Sequence, residues 1–293
     1  MNAIHAAIRN MGAAFSPAQV QASIGLFAPL LPAVEEDAVV RDVRYGDDPR
    51  HRLDLFGANR SGALRPIVVF VHGGGFVGGD KGNAGTPFYG NVGAWAASND
   101  WLGVTMTYRL APDHPWPAGA EDVARAIAWL RAEAQNHGGD PRRIVLMGQS
   151  AGAAHVASYV GGTAHAAIAA GSLAGAIMLS GIYDVASADR NPYQDAYYGD
   201  DAGRYAAQSS IAGLATTPVP CLFTVAEYDP ADFQRQGAQM IARWVLEKNA
   251  WPDFHRLQGQ NHITPVHQIG TAVDEVGPLL VPFITRVTAR DAV

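Results

Sequence analysis

A serine lies at the centre of the pentapeptide Gly148-Gln149-Ser150-Ala151-Gly152, in surroundings that could make it a nucleophile. The apolar run 143–147 before it predicts a short buried strand, and the alanine-rich run 153–160 after it predicts a helix. Strand, tight turn and helix around G-x-S-x-G form a nucleophile elbow, which exposes the serine hydroxyl at the carboxyl end of a sheet. The glycines leave room where a Cβ would strike neighbouring backbone. The alternative is a serine in an ordinary strand-to-helix turn.

A serine hydroxyl needs a base to take its proton, and the base needs an acid to orient it. In this arrangement the acid follows a later strand and the histidine follows the last one. Asp229 comes directly after the apolar run 219–226, and His262 lies in the loop after the last predicted strand. We therefore predict that Ser150, Asp229 and His262 form a catalytic triad. Histidines that fit the role less well, because they lie in a strand, in a helix or on a glycine-rich loop, are His255, His267 and His72.

Asp232 is a second candidate for the acid, because it lies between the same strand and helix as Asp229. Spacing alone does not separate the two. Asp229 is nearer the strand end, where the sheet fixes its position, and Pro230 biases its backbone towards an extended conformation. Asp232 falls in the predicted first turn of the next helix, where a carboxylate stabilises the helix N-terminus. The sequence therefore favours Asp229.

The run His72-Gly73-Gly74-Gly75 follows another buried strand, 66–71, and could stabilise negative charge on a substrate oxygen. Glycines allow backbone N–H groups to approach one point and converge on it. We predict an oxyanion hole formed by the N–H groups of Gly74, Gly75 and Ala151. A three-glycine turn by itself could instead bind phosphate or simply bend the chain.

The elements that position these residues follow from the alternation of apolar strands and amphipathic helices. That alternation predicts a mostly parallel sheet covered by helices on both faces, and therefore a protein of the α/β class. Near the start of the chain, polar and apolar residues alternate from Arg52 to Leu55, with Asp54 on the polar side. This is the pattern of a half-exposed edge strand.

The chain is predicted to form a single domain over residues 1–293, with a core and two additions. Residues 1–37 are rich in alanine and apolar side chains and are divided by prolines, which predicts short helices that cap the core. Residues 183–214 are long for a connection and follow a strand end, which predicts a cap or lid insertion. The core then consists of residues 38–182 and 215–293.

Composition narrows the classes of protein and partner. The chain has 293 residues, of which 48% are hydrophobic and 16% charged, and a formal net charge of −6, which argues against binding to nucleic acid or anionic membranes. A single cysteine, Cys221, excludes an internal disulfide framework. The N-terminal residues lack the pattern of a secretory signal, so we expect a cytoplasmic protein. The apolar stretch 164–182 is interrupted by glycines and polar residues, so we expect no stable membrane association.

Several motifs, spread from about residue 66 to 262, together resemble those of the hormone-sensitive-lipase-like esterases of the α/β-hydrolase superfamily. Their joint occurrence is highly specific. The motifs are His72-Gly73-Gly74-Gly75-Phe76, Tyr108-Arg109-Leu110-Ala111-Pro112-Asp113-His114-Pro115-Trp116-Pro117-Ala118, Glu121-Asp122-Val123, Gly139-Asp140-Pro141-Arg142-Arg143-Ile144, Gly148-Gln149-Ser150-Ala151-Gly152 and Glu227-Tyr228-Asp229-Pro230.

The resemblance implies an α/β-hydrolase fold, with a mostly parallel eight-stranded sheet, helices on both faces and a helical cap built partly from the N-terminus. It also implies hydrolysis of small carboxylic esters with short acyl or aryl groups through an acyl-enzyme, with no cofactor and no metal. We expect substrate contacts from Phe76 and Gln149, and from Tyr197 and Tyr198 in an aromatic insertion that also holds Tyr193.

The sequence departs from the family pattern at a few positions beside these motifs. Gln149 stands where the family usually has aspartate, and Ala153 stands where it usually has glycine. Ala231 after Asp229-Pro230, and Ile263 after His262, also differ from the usual residues. These changes affect pocket walls rather than the triad, so they weaken only the inference about the substrate.

Other functions stay open at this point. Residues 52–56 and 179–184 also resemble the kynurenine formamidase group, which cleaves an N-formyl amide with the same triad, so arylformamidase is the alternative activity. A binding protein with this fold is disfavoured because Ser150, Asp229 and His262 are all present, and a lyase that eliminates water is a minor alternative. The expected partner is a small-molecule ester, and a homodimer is left open.

Overall fold

The structure is a computed structural model that describes residues 3–34, 36–58, 62–82, 87–163 and 173–289. Within these ranges eight β-strands form one sheet, with the bounds Val39–Arg44 (β1), Arg52–Phe56 (β2), Arg65–Val71 (β3), Leu102–Met106 (β4), Gly139–Gln149 (β5), Gly175–Leu179 (β6), Cys221–Tyr228 (β7) and Asp253–Asn261 (β8). Their order is β1-β2-β4-β3-β5-β6-β7-β8. Strand β2 is antiparallel to both β1 and β4, and all other neighbours are parallel. The predicted α/β class and mostly parallel eight-stranded sheet are confirmed.

The apolar runs explain why the middle of the sheet is buried on both faces. In β3, Val69 packs into the core on one face, while Val68 and Phe70 pack into the core on the other. All three side chains are at most 1% exposed. From Ile67 to Val71 the strand has apolar side chains on both faces, so helices must cover both sides of the sheet.

Eleven α-helices lie within the described residues, with the bounds Ala3–Met11 (α1), Pro17–Phe27 (α2), Gly90–Ser98 (α3), Ala118–Glu133 (α4), Ala151–Val160 (α5), Pro192–Tyr198 (α6), Ala202–Gln208 (α7), Ile211–Thr216 (α8), Ala231–Lys248 (α9), Thr264–Gln268 (α10) and Gly277–Val287 (α11). Helices α4, α5 and α9 supply the core of one face, and α3, α10 and α11 supply the core of the other. Helix α4 runs into a 3-10 turn that stops at Gly138, which takes a left-handed φ of 77°.

The predicted half-exposed edge at residues 52–55 is wrong. Strand β2 lies between β1 and β4, so it is an inner strand, and Asp54 is fully buried. Its carboxylate binds Lys81 Nζ at 2.8 Å and Arg41 Nη1 at 3.0 Å. Two cations therefore take the place of the water that the alternating pattern predicts around Asp54, because a buried charge is tolerated when it is paired.

The two segments predicted as cap pack closely on the rest of the chain. Helix α1 lies against β8, and Ile8 and Phe27 pack in a small buried cluster with Phe88. At the two ends of segment 183–214, Tyr183 and Leu214 belong to the main core, and α8 packs against α9. Only the middle of that segment, around α6 and α7, stands apart from the sheet core.

No helix in the described part of the chain is both long and apolar enough to cross a bilayer. Of the apolar stretch 164–182, residues 164–172 lie outside the described residues, and Gly175–Leu179 forms a buried strand. Cys221 is buried at the start of β7, and burial raises the pKa of its thiol to about 12.

Candidate active site

The polar side chains of the candidate site follow strands that end side by side. In the paired register, Gln149 at the end of β5 faces Leu179 at the end of β6, and Tyr228 at the end of β7 faces Asn261 at the end of β8. Each of these four strands is followed at once by a polar residue, and the four residues are Ser150, Ser180, Asp229 and His262. Because parallel strands present their carboxyl ends at one edge, the register brings all four side chains to the same place.

Ser150 occupies a sharp turn between β5 and α5. Its backbone has φ 55° and ψ −120°, a strained conformation for a residue with a Cβ, and its N–H donates to the Leu179 carbonyl at 2.9 Å. A Cβ at Gly148 would overlap the backbone of Gly152, and one at Gly152 would overlap the Val71 carbonyl. The turn can therefore form only with glycine at both positions, as the pentapeptide predicted.

A chain of hydrogen bonds joins the three predicted triad residues. The Ser150 Oγ lies 2.8 Å from His262 Nε2, and His262 Nδ1 lies 2.6 Å from Asp229 Oδ1. Because a carboxylate only accepts hydrogen bonds, Nδ1 carries the ring proton and Nε2 accepts from the Ser150 hydroxyl. The His262 side chain is 3% exposed and that of Asp229 is fully buried, so water does not compete for these contacts.

Asp229 rather than Asp232 reaches the imidazole, as the position next to the strand end favoured. The Oδ2 atom of Asp232 accepts a hydrogen bond from the Asp189 N–H at 3.1 Å, and its Oδ1 atom contacts Arg235 at 3.3 Å. Asp232 thus joins α9 to the segment before α6 and has no contact with His262.

The glycine-rich loop after β3 is held beside the elbow. Gly74 and Gly75 have φ values of 128° and 61°, which favour glycine, and a Cβ on Gly74 would overlap the backbone of Gly78. Within the described ranges, the N–H groups of Gly74 and Gly75 donate no hydrogen bond, and neither does that of Ala151. Free N–H groups beside a nucleophile could bind a substrate oxygen.

His72 supports this loop from behind. Its Nδ1 atom donates to the Gly73 carbonyl at 2.6 Å, and its own carbonyl accepts from the Tyr108 hydroxyl at 2.9 Å. Burial lowers the pKa of the His72 imidazole to about 3, so the ring is neutral in the folded protein. The residue anchors the loop and does not approach Ser150, in agreement with its rejection as the base.

The side chains predicted to contact substrate lie in buried packing around the loop. Phe76 stacks on Tyr197 with ring centroids 4.4 Å apart, and Tyr197 contacts His155 Nδ1 at 3.2 Å through its hydroxyl. Tyr197 is 2% exposed and Tyr198 is 3% exposed. Both tyrosines therefore pack around the loop, and their contact with substrate stays a prediction.

Gln149 also has a supporting position. Its side-chain Nε2 donates to the His262 carbonyl at 2.8 Å, and its Oε1 lies where a Cβ on Gly73 would be. The residue joins the elbow, the histidine loop and the glycine-rich loop, and it is 3% exposed.

The aromatic rings nearest the triad come from three separate parts of the chain. Phe15, between α1 and α2, meets the His262 ring edge to face with centroids 5.8 Å apart, and Phe233 of α9 lies 4.2 Å from the same ring. Tyr193 of α6 contacts Phe15 at 6.4 Å and lies directly over Gly75. Phe15 and Tyr193 are 40% and 43% exposed. The sequence predicts an aromatic insertion that holds Tyr193 and a cap that includes the N-terminal segment, but it does not single out Phe15 or Phe233.

In the described residues, no group of three His, Cys, Asp or Glu side chains is arranged to hold a metal ion. A cavity of about 230 Å³ lies beside the N-terminal segment, between residues 31–34 and α3, and Trp95 lines it. None of the residues that line it belongs to the Ser150 cluster.

A parallel sheet that carries a serine, an aspartate and a histidine after neighbouring strand ends, in that chain order, defines an α/β-hydrolase fold. The comparisons with known proteins agree with this class and confirm the resemblance to its esterases. Residues 53–185 of the chain match the family model described as BD-FAE.

Curated relatives match a limited region. The esterase LipC of Mycobacterium tuberculosis is 36% identical over 43% of this chain and 30% of its own length. The carboxylesterase NlhH of the same species is 43% identical over 30% of this chain and 26% of its own length. The chain therefore matches less than a third of the length of these relatives.

Solved structures match nearly the whole chain at low identity. Esterase B from Lactobacillus rhamnosis, in an inhibited form, superposes with a TM-score of 0.76 at 18% identity, covering 98% of this chain and 97% of that one. The esterase from Pyrobaculum calidifontis gives a TM-score of 0.70 at 20% identity over 99% of this chain and 95% of that one. These matches confirm the α/β-hydrolase fold.

Proposed function

We propose that the protein is a serine hydrolase that cleaves small carboxylic esters through an acyl-enzyme. The observation that carries this proposal is the continuous hydrogen-bond chain from Ser150 Oγ to His262 Nε2, at 2.8 Å, and from His262 Nδ1 to Asp229 Oδ1, at 2.6 Å. The relatives named esterase and carboxylesterase support the same activity.

In the acylation half of the reaction, Ser150 Oγ attacks the ester carbonyl carbon while His262 Nε2 takes the hydroxyl proton. Asp229 keeps the imidazole in the required tautomer and stabilises the positive charge that forms on it. The carbonyl oxygen becomes an oxyanion. The carbon–oxygen bond to the leaving group then breaks, and His262 gives its proton to the departing alcohol.

Deacylation repeats these steps with water. His262 Nε2 takes a proton from a water molecule, whose oxygen attacks the acyl carbon and displaces Ser150. The proton on His262 returns to the serine oxygen, so the acid product leaves and the free enzyme is restored.

The oxyanion would be stabilised by backbone N–H groups. Gly74 and Gly75 on the glycine-rich loop, and Ala151 at the N-terminus of α5, are the donors that we assign to this role. The N-terminus of a helix also favours negative charge beside Ala151. Donors fixed in place before the reaction need no rearrangement when the charge develops, which is why such sites are effective.

The rings around His262 favour an uncharged ester with a short acyl or an aryl group. Phe15 and Phe233 flank the imidazole that donates a proton to the leaving group, and Tyr193 lies over Gly75. Apolar rings stabilise an apolar or flat substituent and offer no ionic partner to an anionic one. Residues 1–37 and the middle of segment 183–214 therefore act as the cap that completes the substrate pocket.

A fluorophosphonate probe followed by a substrate panel tests the proposal. The wild-type protein should be labelled at Ser150 and should hydrolyse phenyl acetate and p-nitrophenyl acetate, whereas Ser150→Ala should do neither. An N-formyl aryl amide such as N-formylkynurenine belongs in the same panel. Faster cleavage of the formamide than of every ester would assign the arylformamidase activity instead, and a folded wild-type protein that is not labelled would point to a binding protein.

A further inference from the structure

Ser180 directly follows β6 and has an unusual backbone conformation. Its φ is 50°, in the left-handed region that favours glycine, although the residue has a Cβ. Its N–H donates to the Thr224 carbonyl of β7 at 3.1 Å, and the residue is 3% exposed. The next residue is Gly181, yet the left-handed conformation is adopted by Ser180.

The hydroxyl of Ser180 points to the acid of the proposed triad. Its Oγ donates to Asp229 Oδ2 at 2.7 Å, and the Ala226 N–H donates to the same oxygen at 2.6 Å. The other oxygen, Oδ1, is left to accept from His262 Nδ1 at 2.6 Å. The buried carboxylate is thus bound by three donors, with one oxygen held by the sheet and the other facing the imidazole.

This arrangement fixes which oxygen the imidazole meets. The Ala226 N–H belongs to the same strand end as Asp229 and would follow any small movement of that turn. Ser180 comes from a different strand, so its hydroxyl sets the plane of the carboxylate relative to the neighbouring part of the sheet. A strained backbone conformation is kept only where the surrounding structure holds it in place. Such strained residues are concentrated at functional sites.

We propose that Ser180 is a positioning residue of the active site, whose hydroxyl holds the Asp229 carboxylate so that Oδ1 stays aligned with His262 Nδ1. This inference rests on the proposed serine-hydrolase function. It assigns a role to the segment 179–184, which resembles the kynurenine formamidase group in sequence but supplies no group to the reaction itself.

The competing explanation is that the hydroxyl only ties β6 to β7. A tie of that kind would affect the melting temperature and leave the turnover of the folded enzyme unchanged. A positioning role predicts the reverse pattern, because the Ser180 N–H still joins the two strands when the hydroxyl is removed, whereas the carboxylate loses a donor.

The test compares Ser180→Ala and Ser180→Gly with wild type. Alanine removes the hydroxyl and keeps the strained φ, whereas glycine removes the hydroxyl and relieves the strain. We expect kcat for phenyl acetate to fall on the order of 10–100-fold in both variants, the rate equivalent of one hydrogen bond to a charged group. KM should change little, because the substrate does not touch Ser180. Ser180→Cys, with a weaker donor in the same place, should lie between wild type and alanine.

Thr224→Val is the matched control. Thr224 carries a buried hydroxyl on the adjoining strand, and within the described residues that hydroxyl has no hydrogen-bond partner. Removing it takes a hydroxyl of similar burial from the same neighbourhood without touching Asp229. This variant should keep the wild-type kcat.

Two measurements separate the possible outcomes. Turnover is expressed per folded molecule, from the native fraction measured by circular dichroism, and the far-downfield NMR resonance of the His262 Nδ1 proton reports its alignment with Asp229. A shifted or lost resonance together with the fall in kcat supports the proposal. An unchanged resonance and kcat in Ser180→Ala or Ser180→Gly, or an equal loss in Thr224→Val, would overturn it.

Failure of the proposed function itself would look different. In that case the wild-type protein would not hydrolyse esters and would not react with the fluorophosphonate. The Nδ1 proton resonance would still report on Ser180, because it depends on the hydrogen bond and not on catalysis.

Discussion

Asp229 directly follows β7 and Asp232 lies in the first turn of α9, and their carboxylates have different neighbours. Asp229 is bonded to His262, whereas Asp232 is bonded to Arg235 and to the backbone of Asp189. We expect Asp229→Asn to lower kcat by on the order of 10³–10⁴, because an amide in this position favours the wrong imidazole tautomer, as in the serine proteases. Asp232→Asn should keep kcat within a few-fold and change mainly the melting temperature. Activity and thermal unfolding of both variants check this, and the opposite pattern would reassign the acid.

At the scale of elements, Phe15 is the place where the N-terminal segment reaches the triad. Replacing it with alanine removes the ring beside His262, so the ratio of kcat/KM for phenyl acetate to that for methyl acetate should fall about 3–10-fold, as expected for the loss of an aromatic contact. Leu279→Ala is the control, since Leu279 is 39% exposed on α11, away from the site, and should leave the ratio unchanged. An unaltered ratio in Phe15→Ala would remove the N-terminal segment from substrate selection.

The buried ion pair beneath β1 and β2 gives a prediction about stability. Lys81→Met leaves the Asp54 carboxylate buried with Arg41 as its remaining cation. We expect a loss of about 3 kcal/mol in the free energy of unfolding, at the low end of the cost of breaking a buried ion pair. Arg243→Met, which breaks the exposed pair with Glu247, should cost under about 1 kcal/mol. Urea unfolding measures the free energy of unfolding of both variants. Equal small losses in the two variants would mean that Asp54 does not need Lys81 as a partner.

The sequence predicts the strands and turns well, because each of these elements depends on residues that are close together in the chain. The apolar run of β3 meets the need of a strand to be buried on both faces, and the glycines around Ser150 meet the need for space in a sharp turn. The structure contains both features. Contacts between distant residues left no such pattern. Asp54 looked exposed because its partner Lys81 lies on a loop beyond β3, and nothing near Phe15 signals that it meets His262. A serine after an apolar strand gives equally little sign of the contact between Ser180 and Asp229.

For the whole molecule, three neutral buried histidines predict sensitivity to acid. Burial lowers the pKa of His72, His155 and His267 to about 3 each, whereas an unfolded histidine titrates near 6.5. Between these values the unfolded chain binds more protons than the folded one, so stability is full above pH 6.5 and is lost as the pH falls towards 3. Each group should contribute up to about 1.4 kcal/mol per pH unit within that window.

His267 allows that sensitivity to be measured. Its ring bonds to Ser23 at 2.8 Å, and His267→Gln replaces it with a side chain that stays neutral. The slope of unfolding free energy against pH, from urea titrations at pH 7, 6 and 5, should become shallower by up to about 1.4 kcal/mol per pH unit. The free energy of unfolding at pH 8, where histidine is neutral in both states, measures any loss of packing in the variant separately. A slope equal to that of wild type would show that His267 is protonated in the folded protein.

The packing of α1 against β8 constrains the order in which the protein can be completed during synthesis. Met11 contacts Asn261 through its sulfur, and His5 lies against Gly259, so the first helix rests on the last strand. Helix α1 is synthesised well before β8, and its contact with β8 cannot form until that strand has emerged and paired with β7. The nascent chain therefore carries α1 undocked from the sheet for that interval. The Ser150 hydroxyl also lacks its histidine until residue 262 has been made, so the nucleophile stays unactivated over the same interval.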